Sequence, residues 1–256
     1  MLMVELHPSA RCAAVAAAAV LLVILSKRRI LRRVFSEESR PEARHLTDLT
    51  GELEEHDAAA CLSEPLPGRE GFIARGFIAP SECAALIAAA ERMGFGVAAY
   101  DREYRGNLRL MTEDPNLSAA LWHRLSPHLP PEVVFTLDGA RWRADSLCST
   151  WKWSKYVPKA GRDAFAPHVD GTHWPEPQLR SFFSLNIYLN DDFVDGCTRF
   201  YTSTTSDVVD YVCKPEVGMA LVFRQPPTAR YLHDGQPVRE GTKYLWRCDV
   251  MYRKLP

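Results

Sequence analysis

The sequence of 256 residues lacks the cysteine spacings that mark a zinc finger or a thioredoxin-like centre. Its seven cysteines form no Cys-x-x-Cys pair, and several lie within apolar segments, where a free thiol packs as a small hydrophobic group. This distribution is not that of a disulfide-framework protein. It leaves a single disulfide open and does not settle the redox compartment.

The chain also carries little net charge, −1 at pH 7. Without a strong overall field, nucleic acid or another polyanion is not an expected partner. No internal repeat recurs at a fixed period, so we do not expect a repeat architecture. Glycine is sparser than proline, 14 against 18, and 46% of the residues are hydrophobic. The composition therefore favours a loop-rich, β-rich globular body with a substantial core.

The N-terminal apolar run is short for a membrane span. Residues 12–25, CAAVAAAAVLLVIL, would rise about 21 Å as a helix, against a hydrocarbon core of roughly 30 Å. Basic residues on both sides extend this reach by snorkelling, so we expect residues 1–35 to form a hydrophobic membrane anchor. A cleaved signal peptide is disfavoured because most of the basic residues follow the run. An organellar targeting peptide and a buried helix of a soluble protein stay open as the alternatives.

The rest of the chain divides into a linker and one folded domain. Residues 36–70 are charged and lack aromatic residues, which predicts a linker, and the folded domain is expected over 71–256. The spacing predicts a helix in SECAALIAAAERMGF and a second one that begins near Asp114 and ends before Pro127. Beyond Trp142, short β-branched or aromatic runs alternate with Gly, Pro and Asp. Helices followed by strands indicate an α+β fold whose strands form a sandwich or barrel.

One stretch of this β-rich part, FAPHVDGTHW, carries a His-x-Asp pair. His168 and Asp170 are two positions apart, so on an extended chain both side chains point to the same side. His233 follows 63 positions after Asp170, with four strand-like runs between them. Two imidazoles and one carboxylate on one face of a metal ion leave three coordination positions open, as in non-haem Fe(II) oxygenases. The pattern therefore predicts an iron site.

Five segments in this order resemble the prolyl 4-hydroxylase-like 2-oxoglutarate/Fe(II)-dependent dioxygenases, over about residues 72–253. They are GFIAPSECAALIAAAERMGF, GNLRLMTEDPNLSAALWHRLSPHLP, KYVPKAGRDAFAPHVDG, SLNIYLNDDFVDGCTRFY and LHDGQPVREGTKY. The resemblance implies a double-stranded β-helix, or jelly-roll, core with flanking N-terminal helices. One departure is Cys197 in DGCTRFY, where the family has an acidic or small residue.

The resemblance also implies the site residues. The iron ligands would be His168, Asp170 and His233. Lys243, ten positions after His233, would form an ion pair with the C5 carboxylate of 2-oxoglutarate. Arg247 shares strand parity with Lys243 and stays open as the alternative cation.

Two tyrosines complete the implied co-substrate site. Tyr188 would assist Lys243 from a neighbouring strand, and Tyr156 would face the co-substrate. Tyrosines on strands also serve as core residues with a solvated hydroxyl, so both readings stay open.

The activity implied is that of a 2-oxoglutarate-dependent dioxygenase similar to procollagen-proline 4-dioxygenases. It would use O2 to hydroxylate prolyl residues of a peptide or protein, release succinate and CO2, and rely on L-ascorbate to keep the iron reduced. An oxygenase acting on a small molecule or lipid, and a catalytically idle jelly-roll that binds a partner at a membrane, are the alternatives. Intact iron and 2-oxoglutarate residues argue against the idle module.

Most membrane-tethered members of the resembled family face the lumen of the endoplasmic reticulum. The resemblance therefore implies a protein of the endoplasmic-reticulum membrane. The basic residues after the apolar run favour a cytosolic domain instead, so the side of the membrane stays open. The oligomeric state is not predicted.

Overall fold

The structure, a computed structural model, describes residues 42–54, 61–97, 104–158, 163–227 and 230–256. The chain divides into the units Met1–Arg40 and Pro41–Pro256, and all described residues lie in the second. The apolar run of residues 12–25 lies outside the described residues. Within the described ranges, no helix is long and apolar enough to cross a membrane.

Strands dominate the described residues. The two α-helices are α1 (Pro80–Met93) and α2 (Pro115–Leu125), and 3₁₀ helices cover Thr50–Glu52 and Ser126–His128. The strands are β1 (Arg44–Leu46), β2 (Leu62–Pro65), β3 (Gly71–Arg75), β4 (Gly96–Val97), β5 (Leu108–Glu113), β6 (Glu132–Val134), β7 (Arg141–Leu147), β8 (Thr150–Tyr156), β9 (Phe165–His168), β10 (Leu179–Tyr188), β11 (Val194–Asp195), β12 (Thr198–Tyr201), β13 (Val209–Cys213), β14 (Ala220–Arg224), β15 (His233–Gly235), β16 (Val238–Glu240) and β17 (Lys243–Lys254).

Both helices begin and end where the sequence predicts. Pro80 occupies the first turn of α1, and Gly94 ends it with a φ of 88°, a conformation that favours glycine. The carboxylate of Asp114 caps α2 by accepting a hydrogen bond from the Leu117 amide at 2.9 Å. The local signals of caps and breakers therefore fix both helices before any tertiary contact is considered.

The strands form two main sheets. The larger has the order β1-β5-β8-β17-β10-β14-β3-β2, and the smaller has the order β13-β12-β15-β9. All pairings along these orders are antiparallel except that of β1 with β5. In the core, Trp246 stacks on Trp151 and Trp153 with ring centroids 4.0 and 4.7 Å apart. This sheet-rich arrangement is consistent with the predicted jelly-roll-like core.

The structure differs from the predicted organisation in two places. Within 36–70, predicted as a linker, β1 and β2 join the larger sheet at its two ends. Edge strands bury little surface, and β2 is exposed throughout, so neither shows the alternation of apolar residues that reveals a strand. The predicted order of helices first and most strands after them is also incomplete, because β5 lies between α1 and α2 and pairs with β8.

Candidate metal centre

The two histidines of the predicted iron site lie opposite each other in the smaller sheet. His168 ends β9, His233 begins β15, and the two residues are paired across these antiparallel strands. Asp170 follows two positions after His168. One ligand atom from each of the three side chains lies within 4.8 Å of the other two, so the fold brings these three residues together.

Hydrogen bonds orient both imidazole rings toward Asp170. The Nδ1 atom of His168 lies 2.9 Å from the Ala166 carbonyl, and that of His233 lies 3.0 Å from the Tyr231 carbonyl. Because a carbonyl only accepts, Nδ1 donates in each ring and Nε2 keeps its lone pair. The Nε2 atoms lie 3.6 and 3.9 Å from the two carboxylate oxygens of Asp170. Three lone-pair donors thus face one point, as metal binding requires.

The electrostatic environment keeps the donors in the protonation states that a metal ion needs. Burial, with His168 nearby, lowers the pKa of His233 to about 4, so this imidazole is neutral. Burial alone would raise the pKa of Asp170, but the nearby Arg247 guanidinium outweighs it and holds that pKa well below its usual range. Neutral imidazole and ionised carboxylate are the metal-binding forms.

Aromatic rings shield the histidines from water. The Phe165 ring stacks on His168 with the centroids 3.6 Å apart. His233 packs against Phe223 and Phe200, with centroids 4.9 and 5.5 Å away. The side chains of His168, Asp170 and His233 are only 10%, 10% and 5% exposed. These rings fix the ligand positions and make the centre a largely dry site.

A polar network holds one oxygen of Asp170. The Ser184 hydroxyl donates to Oδ2 at 2.6 Å, and an Nη atom of Arg247 lies 3.1 Å from the same oxygen. Arg247 also contacts Asp249 at 3.2 Å, and Asp249 accepts from Lys152 at 2.9 Å. Oδ2 is therefore occupied, and Oδ1 is the oxygen left to bind a metal ion. The charge of Arg247 is already balanced by two carboxylates.

Lys243 occupies a different environment on the same strand as Arg247. It is 1% exposed, and its ammonium donates to the Gly196 carbonyl at 2.5 Å. The ammonium lies 5.1 Å from the ring centre of Tyr156 and 5.3 Å from that of Tyr188. No carboxylate of the described residues forms an ion pair with it. Burial lowers the pKa of Lys243 to about 8.

One cavity of about 440 Å³ is lined by the three candidate ligands and by both Lys243 and Arg247. Tyr156 lines it as well. Tyr188 does not, and its hydroxyl instead lies 2.7 Å from that of Thr198, which does. A metal centre and a separate buried cation in one pocket suit a chelating ligand that has a second negative group.

No model of a protein family matches this chain, and a search of the curated proteins gives no match either. Among solved structures, a collagen prolyl hydroxylase of Paramecium Bursaria Chlorella virus-1, in its 2OG complex, is 18% identical, with a TM-score of 0.47 over 73% of this chain and 97% of that one. A Pseudomonas putida prolyl-4-hydroxylase is 16% identical, with a TM-score of 0.49 over 72% and 93%.

A Trichoplax adhaerens prolyl hydroxylase in complex with a fragment of the hypoxia inducible factor oxygen degradation domain is 15% identical, with a TM-score of 0.48 over 70% of this chain and 81% of that one. The chain is similar to prolyl hydroxylases. This is also the family that the sequence motifs resemble. The likeness is one of fold.

Four tryptophans of the β-rich part lie outside the cavity. Trp142, Trp151 and Trp153 are buried in the core, and Trp174 packs on Trp142 with 51% of its surface exposed; none of the four lines the cavity. The structure therefore favours packing over a substrate-binding role for these residues.

The sequence gives only weak signals for the residues of the polar network that holds Asp170. Ser184 lies in the almost fully buried strand β10, and Asp249 is a buried acid within the apolar strand β17. A polar residue inside an apolar strand signals a buried hydrogen bond, because an unpaired polar group there is costly. The identity of its partner requires the three-dimensional structure.

We expect Ser184→Ala to weaken metal binding by roughly 10-fold, because the loss of a group that orients a metal ligand typically costs this much or more. The substitution removes one of the two contacts to Oδ2 of Asp170 and leaves that of Arg247, without changing any charge. The measurement is the dissociation constant for Co(II) or Fe(II), with the exposed Ser203→Ala as the matched control. Equal affinity in both variants would show that the Ser184 hydroxyl does not contribute to metal binding.

Proposed function

We propose that the protein is an Fe(II)- and 2-oxoglutarate-dependent dioxygenase that hydroxylates prolyl residues of a polypeptide. One observation carries this proposal: the cluster of His168, Asp170 and His233 shares a cavity with a buried Lys243 that has no carboxylate partner among the described residues. A structural cluster would not need a second, uncompensated cation in the same pocket. A metal-chelating dicarboxylate requires both.

The iron-binding residues fit Fe(II) in number and kind. Nε2 of each histidine and Oδ1 of Asp170 would hold the ion, which leaves three coordination positions for other ligands. Bound iron would couple the oxidative decarboxylation of 2-oxoglutarate, with O2, to hydroxylation of a substrate C–H bond, giving succinate and CO2. Phe165, Phe200 and Phe223 would exclude water from the reacting groups.

Lys243 would bind the C5 carboxylate of 2-oxoglutarate and so orient the co-substrate toward the metal. Tyr156 would line this subsite. Tyr188 would act indirectly, because its hydroxyl forms a hydrogen bond with that of Thr198, which lines the cavity. Arg247 would hold Asp170 and would not bind the co-substrate, because Asp170 and Asp249 already neutralise it.

The prolyl substrate and the reductant L-ascorbate are proposed on the resemblance of the sequence motifs. The apolar run of residues 12–25 supports membrane attachment, for which we propose the endoplasmic reticulum.

Mass spectrometry of peptides tests the proposed reaction. The full chain is incubated with Fe(II), 2-oxoglutarate, ascorbate and proline-containing peptides under ¹⁸O2. We expect product peptides that gain one labelled oxygen atom on proline, and one succinate per product. Succinate formation without any hydroxylated proline, while a small molecule or lipid gains the label, would overturn the prolyl assignment.

The affinity for 2-oxoglutarate should fall with rising pH. The pKa of Lys243 is about 8 in the free protein, because burial disfavours the ammonium. Binding of the dianion requires that ammonium, so the affinity is constant below pH 8 and drops roughly tenfold per pH unit above it. Burial raises the pKa of the nearby Cys197 thiol and raises that of Cys213 to about 11, so both thiols ionise later than a free cysteine does.

The same pKa also predicts a dependence of stability on pH. Since the folded-state pKa of Lys243 lies below its unfolded value, the unfolded chain binds more protons between about pH 8 and 10, and this residue makes the folded state more stable as the pH rises there.

Titration of the 2-oxoglutarate dissociation constant from pH 7 to 9.5 checks the binding prediction. In the Lys243→Arg variant, whose side chain stays charged, the dissociation constant should not change with pH. A dissociation constant that is also independent of pH in the unsubstituted protein would contradict the role of Lys243.

A further inference from the structure

The same cavity is lined by two further cationic residues, Arg105 and Arg109, besides Lys243 and Arg247. Arg109, on β5, lines the cavity together with Ser154, its partner across the β5–β8 pairing. Arg109 is only 6% exposed. A guanidinium so deeply buried is stable only when anions or acceptors satisfy its five N–H groups.

The described residues leave Arg109 incompletely satisfied. Its Nε atom has no hydrogen-bond partner among them. The acid nearest to it is Glu42, whose Oε1 lies 3.4 Å from an Nη atom, and that oxygen also lacks a hydrogen bond within the described ranges. Glu42 thus supplies charge at a distance but does not form the short bidentate contact that a carboxylate and an arginine can make.

Two more guanidinium groups lie on the same side. Arg105 packs over the Phe165 ring at 3.8 Å, and that ring stacks on His168, so Arg105 lies beside the candidate metal centre. Burial first, then the positive charge of Arg105, lowers the pKa of Arg109 to about 10, and Arg247 contributes in the same direction. Three positively charged guanidinium groups, those of Arg105, Arg109 and Arg247, therefore lie close enough to repel one another.

The remaining acids of the cavity are engaged elsewhere. Asp170 belongs to the candidate metal centre, and Asp249 accepts from Lys152 and Arg247. Asp234 accepts from Arg199 through both oxygens, at 2.9 and 2.5 Å. Among the described acids that line the cavity, only Glu42 remains to face Arg109. A substrate without an acceptor group would leave the Nε atom of Arg109 without a hydrogen bond among the described residues.

We infer that Arg109, with Arg105 beside it, forms a subsite for a carboxylate group of the substrate. The inference rests on the proposed function, since it assigns the substrate class of the same site. A carboxylate fits the planar fork of Arg109 and supplies the acceptor that Nε lacks. The substrate is then either an acidic peptide, with the acid next to the reacting residue, or a free carboxylic acid.

Paired probes that differ only in charge test the subsite without turnover. The full chain, loaded with Co(II) in place of iron and saturated with 2-oxoglutarate, is titrated calorimetrically with acetyl-Glu-Pro-amide and with acetyl-Gln-Pro-amide. We expect the Glu peptide to bind at least about tenfold more tightly, the effect of one charge-assisted contact in a buried site. N-acetylglutamate and N-acetylglutamine form the second pair. A preference in both pairs indicates a free acid as substrate, and a preference in the peptides alone indicates an acidic peptide.

Two substitutions should act in opposite directions. Arg109→Gln should remove the preference for the Glu probes, whereas Glu42→Gln, which removes the competing acid, should strengthen it. A purely structural Arg109–Glu42 pair would make both variants bind all probes equally badly. Arg253→Gln, exposed and distant in the fold, is the matched control.

Equal affinity for the Glu and Gln probes in the unsubstituted protein would overturn the subsite. A clear preference without any 2-oxoglutarate turnover by the iron-loaded protein would instead leave the subsite standing and overturn the proposed function.

Discussion

We expect His168→Ala and His233→Ala to abolish 2-oxoglutarate decarboxylation and to lower the affinity for Fe(II) by about 100-fold or more. The loss of a residue that only orients a metal ligand costs up to about 100-fold, and the loss of the ligand itself should cost at least as much. Each substitution removes one of three donors from a dry site in which no described side chain replaces it. The measurements are CO2 release and the Fe(II) dissociation constant.

The control for this pair is His123→Ala, an exposed residue of α2, which should leave both quantities unchanged. The His168 and His233 variants should keep the circular dichroism of the unsubstituted chain, since each residue lies at one end of its strand and the substitution leaves the backbone pairing in place. Undiminished turnover in either variant would exclude that histidine as a ligand.

The second large effect concerns the cation for 2-oxoglutarate. Lys243→Ala should raise the dissociation constant for 2-oxoglutarate by about 30- to 1000-fold, since the loss of a buried charge-assisted contact costs roughly 2–4 kcal/mol. Metal affinity should change little, because Lys243 contacts none of the three ligands. The measurement is 2-oxoglutarate binding to the Co(II)-loaded protein.

Arg247→Ala is the matched comparison on the same strand. Arg247 holds the candidate ligand Asp170, so its loss should disturb metal binding first and 2-oxoglutarate binding only as a consequence. If Arg247→Ala gives the 2-oxoglutarate defect and Lys243→Ala does not, Arg247 is the co-substrate cation.

The sequence predicted those features that depend on local signals. Pro80, Gly94 and Asp114 bound the helices through backbone conformation and capping, which are properties of a few neighbouring residues. The convergence of His168, Asp170 and His233 was also predictable, because the spacing matched a known motif and period-2 geometry placed the first two side chains together.

The sequence could not predict features that depend on partners distant along the chain. The strands β1 and β2 owe their conformation to pairing at sheet edges, and their own residues carry no apolar pattern. Strand parity placed Lys243 and Arg247 on one side, about 13 Å apart, but could not distinguish them. Only the positions of Asp170 and Asp249 show that Arg247 is paired.

The most direct test of the proposed activity is the release of CO2 from 2-oxoglutarate labelled at carbon 1, measured on the full chain with and without Fe(II). We expect labelled CO2 and an equal amount of succinate with Fe(II), and neither when the metal is removed by a chelator. A chain that binds one Fe(II) and 2-oxoglutarate yet releases no CO2, with or without a peptide present, would contradict the assignment as a dioxygenase.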